Sequence, residues 1–140
     1  MPIVEYRLVA GRHDDDAVGE LLSRSCALLS EVLEAPMERV RAVAHEIAPS
    51  RFCVGGTLVS DGADEAPYFS FFLLDGRTEE QRARLLAGFT ELLVECLGTP
   101  RDLVRGGIWI VAPEDWAIAG VPAATARRAE VAARAAAQRA

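Results

Sequence analysis

A chain of 140 residues and 15.1 kDa has room for one hydrophobic core and no second large one. Its 15 basic residues against 21 acidic ones leave a net charge of −6, which argues against sequence-independent nucleic-acid binding, because that requires clustered positive charge to replace phosphate counterions. No apolar run approaches the ~18–20 residues that span a bilayer, and the opening Met1-Pro2-Ile3-Val4-Glu5-Tyr6-Arg7 lacks the basic and apolar regions of a secretory signal. The expectation is a soluble, cytoplasmic protein with no nucleic-acid or membrane partner. Three scattered cysteines, Cys26, Cys53 and Cys96, fit neither a disulfide framework nor a zinc site.

Taken in chain order, Ile3 to Val9 is a short β-branched and aromatic run closed by Gly11-Arg12, and it reads as a strand. His13 to Asp16 supplies first-turn acids to a helix whose apolar positions Val18, Leu21, Leu22, Cys26, Leu29, Val32 and Leu33 follow the 3.6-residue period. That helix stops before Pro36. A second strand runs roughly from Val40 to Ile47, followed by the aromatic-glycine segment Phe52-Cys53-Val54-Gly55-Gly56 and an acidic turn over residues 61–66. Tyr68 to Leu74 is a more continuously apolar strand, closed by Gly76-Arg77. Thr78 then offers an N-cap with Gln81 at N3, and Leu85, Leu86, Phe89, Leu92, Leu93, Cys96 and Leu97 give a second amphipathic helix ending before Pro100. Leu103 to Val111 is the fourth strand, and Trp116-Ala117-Ile118-Ala119-Gly120 the second aromatic-glycine segment. The last 18 residues hold ten alanines, four arginines and one glutamate. They form a basic tail with good helix propensity and an i,i+4 pair, Glu130 and Arg134, but too short to be stable alone.

The chain contains the same sentence twice. Pro2 through Gly11-Arg12 aligns with Pro67 through Gly76-Arg77 at an offset of 65 residues. Ala35-Pro36, Val40-Arg41 and Phe52 to Gly56 align with Thr99-Pro100, Val104-Arg105 and Trp116 to Gly120 at an offset of 64. The boundaries read as a first β-α-β repeat over 1–62, a second over 63–122 and a helical tail over 123–140, within one compact domain. Each unit implies a right-handed parallel crossover. One unit cannot bury its sheet alone, so the two pair through a pseudo-twofold. The fold class is therefore α+β: a four-stranded mixed sheet with two helices on one face. The other face is left apolar and open, which predicts oligomerisation through it.

Pro2 directly after the initiator, Gly11-Arg12, Ala35-Pro36, Val40-Arg41 and Phe52-Cys53-Val54-Gly55-Gly56 resemble the 4-oxalocrotonate tautomerase family, whose short subunits begin with proline. The resemblance covers residues 2 to about 60 closely and 67 to about 122 more loosely. It implies a fused, two-repeat tautomerase of the MIF-like fold, a homotrimer that needs no cofactor or metal. The implied chemistry is keto–enol tautomerisation of a small carboxylated enol or 2-oxo acid. Pro2, freed of Met1, would be a secondary amine acting as general base, with its pKa lowered by burial and nearby arginines. Pro67 lies mid-chain, so its nitrogen is an amide and cannot serve. The resemblance further implies Arg77 opposite Pro2 and Arg41 or its repeat partner Arg105 as carboxylate ligands. Trp116 and Phe52 match the aromatic that forms the apolar wall, with Trp116 favoured for the Pro2 site, while Arg12 would line the pseudo-equivalent pocket at Pro67.

Departures from the family patterns weigh the alternatives. The dehalogenase relatives use a carboxylate in the aromatic-glycine segment and a second arginine three residues before the first. Here the segment after Trp116 holds no acid, with Glu114 just upstream, and Leu74 stands at the other position. The malonate semialdehyde decarboxylase pattern carries an aspartate near Pro36-Met37-Glu38-Arg39, where the acid Glu38 falls one position away. Water addition is disfavoured, decarboxylation is the first rival, and a non-catalytic trimeric scaffold follows if Met1 is retained. His13 and His45 have no ligand partners at metal spacing and are read as non-catalytic.

Overall fold

The computed structural model describes residues 2–140. Strand β1 (Ile3–Val9), helix α1 (Asp15–Leu33) and strand β2 (Arg41–Ile47) form the first unit, and a small hairpin of β3 (Cys53–Val54) and β4 (Thr57–Leu58) follows. Strand β5 (Tyr68–Leu74), helix α2 (Glu79–Leu97) and strand β6 (Arg105–Val111) repeat the pattern, followed by the hairpin β7 (Ala117–Ile118) and β8 (Val121–Pro122). A short helix α3 (Ala123–Ala126) and a longer α4 (Arg128–Arg139) end the chain. The expected α+β fold is present: the strand order is β2-β1-β5-β6, with β1 parallel to β2 and β5 parallel to β6. The two units join antiparallel, from Ile3 opposite Phe72 to Arg7 opposite Tyr68.

Local chemistry sets the helix ends. Asp14 caps α1 by accepting from the Ala17 N–H at 2.7 Å, and Thr78 and Gln81 form a reciprocal capping box on α2. Both outer strands begin slightly later than their apolar runs suggest, because Met37–Arg39 and Arg101–Leu103 each form a single 3₁₀ turn after the proline. Val40 and Val104, which end those turns, are buried at the edge of the core.

Strand alternation turns Val4, Tyr6 and Leu8 of β1 and Phe69, Phe71 and Leu73 of β5 toward the helices. They meet Leu21 and Leu29 of α1 and Leu85, Phe89 and Leu93 of α2. Phe89 sits edge-on to Phe71 and Phe69, with centroids 5.1 and 5.5 Å away, the geometry that aromatic quadrupoles favour. Gly106 on β6 admits the Phe69 ring, since a Cβ there would fall 2.1 Å from it. Cys26 and Cys96 pack half-buried against this core, and burial pushes both thiols up, so they act as small hydrophobes as expected.

The sheet face away from the helices corrects one expectation. It does carry exposed apolar groups, Val43, Tyr68 and Trp109, the last 60% exposed. Alternation also places Glu5, Arg7, His45 and Arg105 there, with Arg7 paired to Glu5 at 2.9 Å. The face is open but amphipathic, because the β1 residues between the core positions are charged.

Tyr6, the one hydroxylated ring in the core, reaches Ser25 of α1 at 2.7 Å. The Ser25 hydroxyl gives its proton to the Leu21 carbonyl at 2.6 Å, so Tyr6 is the donor. Removing Ser25 would strand a buried donor, whereas removing the Tyr6 hydroxyl strands only a lone pair. Ser25→Ala is therefore expected to lower unfolding free energy by about 1–3 kcal/mol and Tyr6→Phe by only about 0.5–1.5 kcal/mol, as urea denaturation would measure.

Candidate active site

The antiparallel junction puts the start of β1 beside the end of β5. At that end of the sheet lies a cavity of about 970 Å³, open to solvent. Buried Pro2 lines it, with its carbonyl accepting from the Arg41 N–H at 3.1 Å, and so do Arg41, Arg77 and Trp116. Four of the seven sequence-derived candidates therefore share one cavity. Trp116 is half-buried and lies against Phe72 at a centroid distance of 6.2 Å, so the second hairpin supplies an apolar wall.

The remaining three lie elsewhere. Arg105 lines a shallow depression on the open sheet face with Arg7, Tyr68 and Trp109. Arg12 is exposed in the turn after β1, and half-buried Phe52 belongs to the first hairpin, where its carbonyl accepts from Val59. Within one chain it is thus Arg41, and not Arg105, that reaches the Pro2 cavity. At the opposite end of the sheet, where β1 ends and β5 begins, Glu65 accepts from the Val9 N–H at 2.7 Å and meets His13 Nε2 at 2.6 Å. The linker thus supplies a carboxylate at the end of the sheet opposite the Pro2 cavity. Of the acids weighed for rival chemistries, Glu38 lines the Pro2 cavity and Glu114 does not. Among the described residues, no group of three His, Cys, Asp or Glu side chains could hold a metal ion, and no helix is long and apolar enough to cross a membrane.

Sequence reasoning missed the far wall. Helix α4 packs across the cavity and contributes Arg127, Glu130 and Arg134 to its lining, while Arg39 comes from the turn after Pro36. Arg39 Nη1 reaches both Glu130 oxygens, at 3.0 and 3.1 Å, and Arg134 Nη2 lies 3.8 Å from the same carboxylate. Burial pushes the Glu130 carboxyl up, but Arg39, Arg127 and Arg134 outweigh it and hold it below the usual carboxylate range. The tail's local charge of +3 and the spacing of Glu130 and Arg134 were visible in the sequence. The pairing of Glu130 with Arg39, 91 residues away, left no local trace.

Arg77 follows the turn after β5 and donates to the Leu33 carbonyl at 3.0 Å. Burial, and then the neighbouring charge of Arg134, lower its pKa to about 10 against the opposing pull of Glu130 and Glu34, so it remains cationic at neutral pH. Gly76 makes the approach of α4 possible. Its φ is +102°, and a Cβ there would lie 3.3 Å from Arg134 Cβ. Its repeat counterpart Gly11 also has positive φ, at +78°, but faces open space.

The duplicated β-α-β chain is similar to known proteins in sequence and fold. The tautomerase enzyme family model matches residues 67–126. The 2-hydroxymuconate tautomerase of Comamonas testosteroni is 42% identical over 57 residues, which span 41% of this chain and 90% of that protein. Among solved structures, native fused 4-OT superposes with a TM-score of 0.82 at 31% identity over 88% of this chain and 97% of the other. The F6 fused 4-OT, an asymmetric trimer, gives a TM-score of 0.80 at 26% identity over 89% and 98% of the two chains. The chain belongs to the tautomerase family. It is a fused, two-repeat member of 4-OT type, an enzyme of the isomerase class.

The two strand-closing glycines offer a paired test. Gly11→Ala should cost about 1–2 kcal/mol for its left-handed backbone alone. Gly76→Ala should cost more than Gly11→Ala and should also loosen α4, seen as faster hydrogen exchange of the α4 amides without loss of protection in the sheet.

Proposed function

We propose that Pro2, once Met1 is removed, is the general base of a cofactor-independent keto–enol tautomerase acting on a small carboxylated enol or 2-oxo acid. The observation that carries this reading is the cavity that gathers buried Pro2, Arg41, Arg77 and Trp116 at one end of the sheet. A proline at a free N-terminus is a secondary amine whose lone pair is not tied up in an amide. In its neutral form it takes the enol hydroxyl proton, the electrons move into the conjugated system, and the proton is returned to carbon to give the ketone. Arg77 and Arg41 hold the carboxylate and stabilise the developing enolate charge. Trp116 keeps one side of the substrate out of water.

The sign of the pH dependence follows. Burial and surrounding guanidinium groups disfavour the ammonium form and lower the amine pKa from the ~7.7–8 of an ordinary α-amino group. The base works only when neutral, so kcat/KM rises with pH through that lowered pKa. The dicarboxylate 2-hydroxymuconate is the first substrate to assay, by ultraviolet absorbance, because the Comamonas relative is named for it. Intact mass should show the chain without Met1, and Pro2→Ala should lower kcat by about 10²-fold. A retained methionine, or full turnover in Pro2→Ala, would overturn the assignment.

We further propose that the chain assembles as a homotrimer through the open sheet face. The F6 fused 4-OT is a trimer, and the exposed Trp109, Tyr68 and Val43 provide apolar anchors among charged neighbours. Light scattering should give the mass of three chains, and Trp109→Glu should shift it toward one.

A further inference from the structure

The C-terminal helix carries a group that the proposed base mechanism does not use. Arg134 is only 20% exposed at its side chain, although it belongs to a polar, alanine-rich helix. Its stem lies on the turn before Arg77, with Cβ, Cγ and Cδ 3.3 to 3.9 Å from where a Gly76 Cβ would stand. Its Nη2 points toward Glu130 at 3.8 Å, while its Nη1 is shielded from solvent and has no acceptor among the described residues. Glu130 is already engaged by Arg39 and lies 4.0 Å from Arg127, so it is one carboxylate shared among three guanidinium groups. Arg77, beside Arg134, contributes a fourth positive charge, and its acceptor among the described residues is the neutral Leu33 carbonyl. Two half-buried guanidinium groups side by side repel each other, and Glu130 and Glu34 offset that repulsion at Arg77 only in part.

We propose that Arg134 is a substrate-binding residue of the Pro2 cavity, pairing with Arg77 to hold a carboxylate of the substrate, and that Glu130 is the positioning residue that orients it. The tail helix then forms the fourth wall of the site. The inference builds on the tautomerase reading for the identity of the anion, but its binding test is independent of turnover. A carboxylate accepts from two guanidinium groups at once, using Nη1 of Arg134 and leaving Nη2 with Glu130. The competing explanation is that Arg134 only fastens α4 through its apolar stem. Arg134→Met separates the two, since it keeps an unbranched stem against Gly76 and removes the charge.

The probe is adipate, a saturated dicarboxylate that cannot tautomerise, with dimethyl adipate as the uncharged control, both titrated calorimetrically into the full chain. Adipate should bind the wild type and the diester should not. In Arg134→Met the dissociation constant for adipate should rise about tenfold or more, while helicity and melting temperature stay at wild-type values. KM for the carboxylated enol should rise by a similar factor with kcat little changed. Arg134→Lys, which keeps the charge without the planar fork, should fall between wild type and Arg134→Met. Equal binding of adipate and its diester by the wild type, or wild-type adipate affinity in both variants, would overturn the proposal. Either result leaves the role of Pro2 to stand on its own kinetics. Conversely, weakened adipate binding in Arg134→Met alongside full activity in Pro2→Ala would support Arg134 and remove the base.

Discussion

The antiparallel seam between β1 and β5 is the constraint on which the rest of this structure depends. Pairing Ile3 with Phe72 and Arg7 with Tyr68 makes one sheet from two β-α-β units that could not bury their strands separately. It lets the aromatic rings of β5 and α2 close a single core with Tyr6. It also fixes where the cavity lies. The first residues of one unit are brought against the last strand residues of the other, so Pro2 and Arg77, 75 positions apart in sequence, line the same cavity.

That geometry explains why so much was legible beforehand. Strand boundaries, caps and helix faces depend on local patterns: Thr78 and Gln81 cap where their spacing said they would, and Asp14, read only among the first-turn acids, is the cap of α1. The repeat supplied the long-range information that local patterns lack. The resemblance to fused members, applied to the Gly76-Arg77 pair that aligns with Gly11-Arg12, points to Arg77 opposite Pro2. The character of the open face was less legible, since an apolar face was inferred from the topology when β1 in fact alternates charged residues, Glu5 and Arg7, with its core positions. The fourth wall was illegible for a different reason. Helix α4 has no repeat partner, and its docking relies on Glu130 reaching Arg39, on the absence of a side chain at Gly76, and on burial of Ala123 at the base of the tail.

The cavity also resolves the tension between an acidic protein and the anionic substrate proposed for it. A net charge of −6 is spread over the whole surface and screened over roughly 8–10 Å in physiological salt. Within the cavity five arginines, 39, 41, 77, 127 and 134, face three glutamates, 34, 38 and 130. The local field is positive whatever the global sum. Two of those arginines come from a tail that carries an excess of positive charge over an otherwise acidic body.

Glu65 marks the limit of what gene duplication can copy. The second unit reproduces strands, helix, turn and the Gly-Arg pair, yet its proline nitrogen is bonded into the main chain, and the end of β1 near it is bonded by the linker's own carboxylate. A polypeptide has one amino terminus. Any function residing in that terminal amine is counted per chain and not per fold unit, and doubling the scaffold leaves the count unchanged. What duplication does provide is asymmetry. The two ends of the sheet are no longer bound to be identical, so one can gain a tail helix and a cluster of guanidinium groups while the other takes a carboxylate from the linker.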